Sequence, residues 1–273
     1  MKKRIISLML TLVLSLACVF GLTACGGKTV KIGAQNDTTG FYYAECLKGT
    51  ETIGYTAPAL AAQDMKNGNV DYLIVDRSTA VSIVNSISGL KMIDIALTTE
   101  EYAMAVDKNQ AELLEAINGV LASKTAEIDA IYAKYNEGRE DDYVGVLAGS
   151  VDLSNQAGQL VVATNAEFPP YEFTDGEKFY GIDMEIAKLI ADTLGLELVI
   201  KDMAFEAVVT AVGSNGIDVG IAALSVTASR KALVNFSAGY FTEYQVVVCL
   251  EENTALDDAG TVVDILSVLC AGN

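Results

Sequence analysis

Short apolar runs bounded by Gly, Asn and Asp alternate along this chain with stretches in which apolar residues recur every three or four positions. The runs predict buried strands, and the periodic stretches predict amphipathic helices. Residues 29–34 (TVKIGA), 71–75 (DYLIV), 160–163, 196–200, 218–224 and 243–250 read as strands. Residues 57–66, 78–87, 111–121, 128–135, 184–194, 205–212 and 228–233 read as helices. In 111–121, Leu113, Leu114, Ile117, Val120 and Leu121 share one face, while 184–194 is led in by Asp183 and stopped by Gly195. Strands alternating with helices imply an α/β protein with largely parallel sheets. Residues 136–158, rich in Gly, Asp, Ser and Asn, break the pattern and read as a linker.

One passage recurs. Residues 59–76 (ALAAQDMKNGNVDYLIVD) and 207–224 (AVVTAVGSNGIDVGIAAL) each run from a helix through Asn-Gly to an Asp that leads into an apolar strand. The repeat suggests two lobes built on one plan. Aligning Asp71 with Asp218 pairs Asp76 with Ala223. Both stand at the carboxyl ends of strands, where open parallel sheets place their ligands.

The first 24 residues stand apart. Met1-Lys2-Lys3-Arg4 is followed by an apolar stretch and then by Leu22-Thr23-Ala24-Cys25. A basic start, an apolar run and small residues before a cut describe a secretory signal. The last four residues resemble the bacterial lipobox, which implies lipidation at Cys25 and an anchor over residues 25–28. An ordinary signal peptide with a chance cysteine is the alternative. The leader holds three of the 18 Lys and Arg and none of the 36 Asp and Glu, so the remainder carries 15 against 36, a net charge of −21. That balance excludes nucleic acid and anionic membrane surfaces as partners. The chain has no His, which removes His-based general-base catalysis and His metal ligands. The cysteines show no C-x-x-C pair or framework spacing, so neither a disulfide nor a metal site is expected.

Residues 160–248 resemble the first lobe of the family 3 extracellular solute-binding proteins, the polar-amino-acid binding proteins of ABC transporters. The resemblance rests on LVVATNAEFPPYEF, YGIDMEIAKLIADTLGLEL, SNGIDVGIAALSVTASRKALVNFS and GYFTEYQVVV, in the family's order and spacing. Residues 29–135 resemble its second lobe and closing helices through TVKIGAQNDTTGFYYAE, KNGNVDYLIVD, GLKMIDIALTTEEYAMAV and AELLEAINGVLASKTAEIDAIYAKY. The family implies a two-lobed, type II periplasmic-binding-protein-like fold with a hinge of two crossover strands, at 99–106 and 240–248. The lobe order is reversed here, which a circular permutation explains, with the family's usual ends joined through 136–158. A fragment spanning two tandem binding domains is the rival. Expected divisions are 29–98 for the second lobe, 99–135 for a crossover and returning helices, 159–239 for the first lobe and 240–250 for a crossover; residues 251–273 are unassigned.

The same resemblance supplies candidate ligand contacts. Arg230 can hold a carboxylate by two parallel hydrogen bonds, beside Ser225 and the start of a short helix. Asp76 matches the family's partner for the ligand ammonium; alternatively it pairs with Arg77 or caps a helix. Thr38 and Thr39 can complete the carboxylate site, although Asp37 stands where the family usually has Gly and its charge can repel a ligand carboxylate. Phe168 and Phe205 match positions that sandwich the ligand side chain. Ala223 follows from the repeat, and Asn165 is a candidate for a polar side chain. Tyr171 and Glu167 are weaker candidates.

The expected function is capture of a polar L-amino acid by hinge closure, for delivery to an ABC permease, by a lipid-anchored extracytoplasmic monomer without cofactor or catalysis. A dehydratase acting on prephenate-like acids, which shares the fold, and a sensory module are the alternatives.

Overall fold

The computed structural model describes residues 29–138 and 140–271. The leader and Cys25 lie outside them. The first half of the chain builds strands β1 (Val30–Gln35), β2 (Thr50–Tyr55), β3 (Tyr72–Asp76) and β4 (Leu90–Ile93), interleaved with helices α1 (Thr39–Glu45), α2 (Pro58–Lys66) and α3 (Arg77–Ser86). Every residue of β3 is buried, as its unbroken YLIV run requires of a parallel strand covered on both faces. A hinge strand β5 (Glu100–Tyr102) follows, then β6 (Ala105–Val106), α4 (Ala111–Ser123) and α5 (Thr125–Asn136).

The second half runs through β7 (Val146–Leu147), β8 (Gln159–Thr164), the short strands β9 (Glu167–Phe168), β10 (Glu172–Thr174) and β11 (Lys178–Tyr180), α6 (Ile182–Leu194), β12 (Glu197–Asp202), α7 (Phe205–Ala211), β13 (Val219–Gly220), α8 (Ala228–Leu233) and β14 (Asn235–Phe236). A second hinge strand β15 (Phe241–Glu243), β16 (Gln245–Leu250) and α9 (Val262–Leu269) close the chain. No helix among the described residues is long and apolar enough to cross a membrane.

Two five-stranded sheets share one plan. Numbered in this chain's own order, opposite to the family's, the first lobe orders its strands β2-β1-β3-β16-β4 and the second β12-β8-β13-β6-β14. In each, the first three are parallel and the fourth runs antiparallel. That fourth strand arrives through the hinge: β16 follows β15, and β6 lies just beyond β5. The hinge strands pair antiparallel, Phe241 opposite Tyr102. The repeated aspartates make equivalent contacts. Asp71 accepts from the Lys31 backbone N–H at 2.9 Å, and Asp218 from that of Val161 at 3.0 Å. Each carboxylate thus ties its loop to the parallel strand beside its own in the sheet.

Three segments differ from expectation. The strand expected over 218–224 pairs only at Val219–Gly220. Beyond it the chain turns aside, because Ala223 takes a left-handed φ of 47° and gives its N–H to the Asp183 carboxylate at 2.7 Å. Asp183 is therefore a fully buried acceptor; Gly181 occupies the helix cap. Within the stretch 136–158, residues 146–148 are held along the second lobe: β7 pairs with β11, and Ala148 accepts from the Ile200 N–H at 2.7 Å. The 251–273 segment contributes α9, whose Thr261 and Asp264 form a capping box. Its Ile265 and Leu269 pack with Ile32, Tyr72 and Ile74 of the first lobe.

Candidate functional site

The two lobes face each other across the hinge, and a small cavity lies between them. From the first lobe it is lined by Thr38, Thr39 and Asp76; from the second by Phe168, Phe205, Ala222, Ala223, Ser225 and Arg230. Its volume is about 10 Å³, roughly the room one water needs. The lobes are therefore shut against each other, and admitting a larger molecule requires them to part.

Arg230 lies on α8, whose cap Thr227 accepts from the Arg230 N–H at 3.2 Å. Its Nη1 donates to the Ser225 carbonyl at 2.9 Å and its Nη2 crosses to the Asp37 carbonyl at 3.0 Å. The guanidinium carbon sits 5.2 Å from the centre of the Phe205 ring, within cation–π range. Burial lowers its pKa from the ordinary arginine value, and the negative charge of Glu100 opposes that shift.

Asp76 ends β3 and is 5% exposed. It does not pair with Arg77, which forms two 2.8 Å bonds to Asp94 instead, and it makes no cap bond to α3. The buried hydroxyl of Tyr102 donates to it in a short hydrogen bond. Burial, then the charge of Glu100, pushes its pKa up to about 8. A carboxyl kept partly protonated in a dry cleft is suited to a cation, whose arrival restores the charged form.

Thr38 caps α1, accepting from the Phe41 N–H at 3.1 Å while its hydroxyl donates to the Gln35 carbonyl at 2.7 Å. Gly40 lets α1 press close to the sheet: a Cβ there would stand 2.6 Å from Gln245 Oε1 and 3.2 Å from the Ile74 carbonyl. Asp37 takes a left-handed φ of 60°, which an Asp tolerates where Gly is the usual residue. Its carboxylate accepts from the Tyr42 hydroxyl at 2.6 Å, and Asp37 lines an adjoining recess that shares Thr39, Phe205 and Arg230 with this cavity.

Of the sequence-derived candidates, Arg230, Asp76, Ser225, Thr39, Thr38, Phe168, Phe205 and Ala223 meet at the cavity. Asn165 does not line it. Its Oδ1 accepts from Gln35 Nε2 at 2.8 Å, a bond between the lobes, and its Nδ2 donates to the Met203 carbonyl at 2.9 Å; both ends are engaged. Ala223 contributes no donor, since its N–H belongs to Asp183. Tyr171 is fully buried against the hinge and donates to Glu243 at 2.9 Å, and Glu167 is exposed. Cys25 falls outside the described residues. Sequence reasoning missed Glu100, which takes hydrogen bonds from Thr39, Thr98 and Ser225, and Gln245, whose Nε2 donates to Thr39 Oγ1 at 3.2 Å. Their signal was position on the expected crossovers, not residue type.

Two like lobes on a two-strand hinge, with a guanidinium and a carboxyl facing one cavity from opposite walls, define a cleft protein of the type II periplasmic-binding-protein kind. Residues 160–262 match the model of the bacterial extracellular solute-binding proteins, family 3. The chain is similar to the arginine-binding extracellular protein ArtP of Bacillus subtilis, 31% identical over 38% of this chain and 42% of that protein. It is also similar to the probable ABC transporter arginine-binding protein ArtJ of Chlamydia trachomatis, 34% identical over 26% and 28% respectively. Among solved structures, an ancestral arginine-binding protein bound to arginine matches at 42% identity over 31% of this chain and 38% of the other, with a TM-score of 0.30. The chain thus aligns with less than half the length of the relatives it matches.

Proposed function

We propose that the chain is the extracytoplasmic substrate-binding component of an ABC importer, lipidated at Cys25, and that it captures a polar L-amino acid as its lobes close. The single observation that carries this reading is the meeting of Arg230 from one lobe and Asp76 from the other at one cavity. A free amino acid is a carboxylate beside an ammonium. A guanidinium and a carboxyl fixed on opposite walls bind both only when the walls come together, so capture and closure are one event. Phe168 and Phe205 supply apolar surface for the side chain between the charged ends. The names of the relatives, arginine-binding in both cases, support a cationic amino acid as the first ligand to try. Capture and release need no chemical step, and we assign none. The reversed lobe order supports a circular permutation, with 136–158 as the joining segment.

Calorimetry against a panel of L-amino acids tests the reading. At least one should bind with 1:1 stoichiometry, and Arg230→Ala should weaken it at least roughly tenfold, since the ligand carboxylate then lies buried without its partner. Near-normal binding by Arg230→Ala would mean that the site lies elsewhere. Conversion of a prephenate-like acid by the wild-type chain would replace the transport reading with an enzymatic one.

A further inference from the structure

Glu100 stands on the hinge strand β5, half-buried, and is not among the candidate ligand contacts. Its Oε2 accepts from Thr39 Oγ1 of the first lobe at 2.6 Å and from Ser225 Oγ of the second through a short bond. Its Oε1 accepts from Thr98 Oγ1 at 2.7 Å. One carboxylate thus takes the hydroxyl protons of the two residues that, with Arg230, are assigned to a ligand carboxylate. Each hydroxyl has a single proton to give. An incoming carboxylate and Glu100 cannot both receive them, and two anions at the same donors repel.

We propose that Glu100 is a built-in stand-in for the ligand carboxylate. It latches the lobes together by bridging Thr39 and Ser225, and a ligand must displace it to bind. This inference rests on the function proposed above. The latch gives the chain a closed form of its own and lowers its apparent affinity, because part of the population is occupied by an internal competitor. It also sets selectivity. Opening the latch favours any ligand, but only one with a carboxylate also takes the donors Glu100 releases, so the competition bears more heavily on amino acids than on simple amines.

Two measurements on the full chain test this, with Glu100→Ala and the neutral, near-isosteric Glu100→Gln. The first is small-angle scattering without added amino acid. Both variants should have a larger radius of gyration than wild type, with faster hydrogen exchange at residues 39–45. Unchanged scattering and exchange would overturn the latch. The second is calorimetry with L-arginine and with agmatine, its decarboxylated analogue. Glu100→Ala should bind L-arginine about tenfold more tightly, the scale of one charge-assisted hydrogen bond, and gain clearly less for agmatine. Weaker L-arginine binding by Glu100→Ala would make Glu100 a ligand contact and overturn the competitor role. If the wild-type chain binds no amino acid, the proposed function fails, and the scattering arm alone still upholds or overturns the latch.

Discussion

The pKa of Asp76 makes ligand affinity a function of pH. Burial and the neighbouring Glu100 charge raise it to about 8, so at pH 6 only about 1% of Asp76 is ionised, against about half at pH 8. A ligand ammonium pairs with the ionised form, while the ammonium itself stays protonated across this range. Binding from pH 6 must therefore drive a proton off Asp76, and affinity should rise about 50-fold between pH 6 and pH 8. Calorimetry at both values measures this directly. Repeating it in phosphate and imidazole, whose ionisation enthalpies differ, counts the protons released: close to one per ligand at pH 6 and about half of one at pH 8. Asp76→Asn should flatten the dependence and bind weakly throughout. A wild-type affinity that is level from pH 6 to pH 8, with no proton released, would refute the reasoning.

The same protonation acts on stability. Asp76 and Asp183 are pushed up to about 8 and about 7, in each case chiefly by burial. The folded chain therefore keeps protons that the unfolded chain gives up near the usual carboxylate value. Their contribution is fully present below about pH 4 and is lost as pH rises through 7 to 8. The urea midpoint should be higher at pH 5 than at pH 8, and Asp183→Asn should reduce that slope; a midpoint that rises with pH over this window would contradict it. A chain rearranged to run from residue 159 to 271 and then, through a short flexible join, from 29 to 158 should fold and bind the same amino acid within about threefold of the original affinity, as exposed connections allow. Loss of folding or binding would count against the permuted reading.

Much of the fold was legible because burial writes itself into periodicity. The YLIV and LVVA runs are central strands, and the Leu and Ile spacing in 111–121 and 184–194 marks the helical faces that pack inward. What escaped notice had a weaker pattern. The strand Thr50–Tyr55 lies at a sheet edge, has no fully buried residue and reads TETIGY, with little apolar content. The helix Thr39–Glu45 is only about two aromatic-rich turns and depends on its Thr38 cap. At the site, Arg230 and Asp76 came from motifs and from the repeat. Glu100 had no such mark: in Thr98-Thr99-Glu100-Glu101 it resembles a solvated acidic stretch, and only the pairing of the hinge strands carries it between Thr39 and Ser225. Asn165 shows the opposite error, a polar residue near the cleft whose hydrogen bonds are already taken.

The strand that each sheet receives through the hinge bears on the order in which the chain can mature as it is made. The second sheet draws its strands from one continuous stretch, Ala105 to Phe236, whereas the first waits for Gln245–Leu250 to insert between two strands finished by residue 93. The half translated earliest must therefore be the last to complete its hydrogen bonding, with the edges of β3 and β4 unpaired for some 150 residues of elongation. Any chaperone that shields the nascent chain has its longest task at the amino-terminal half.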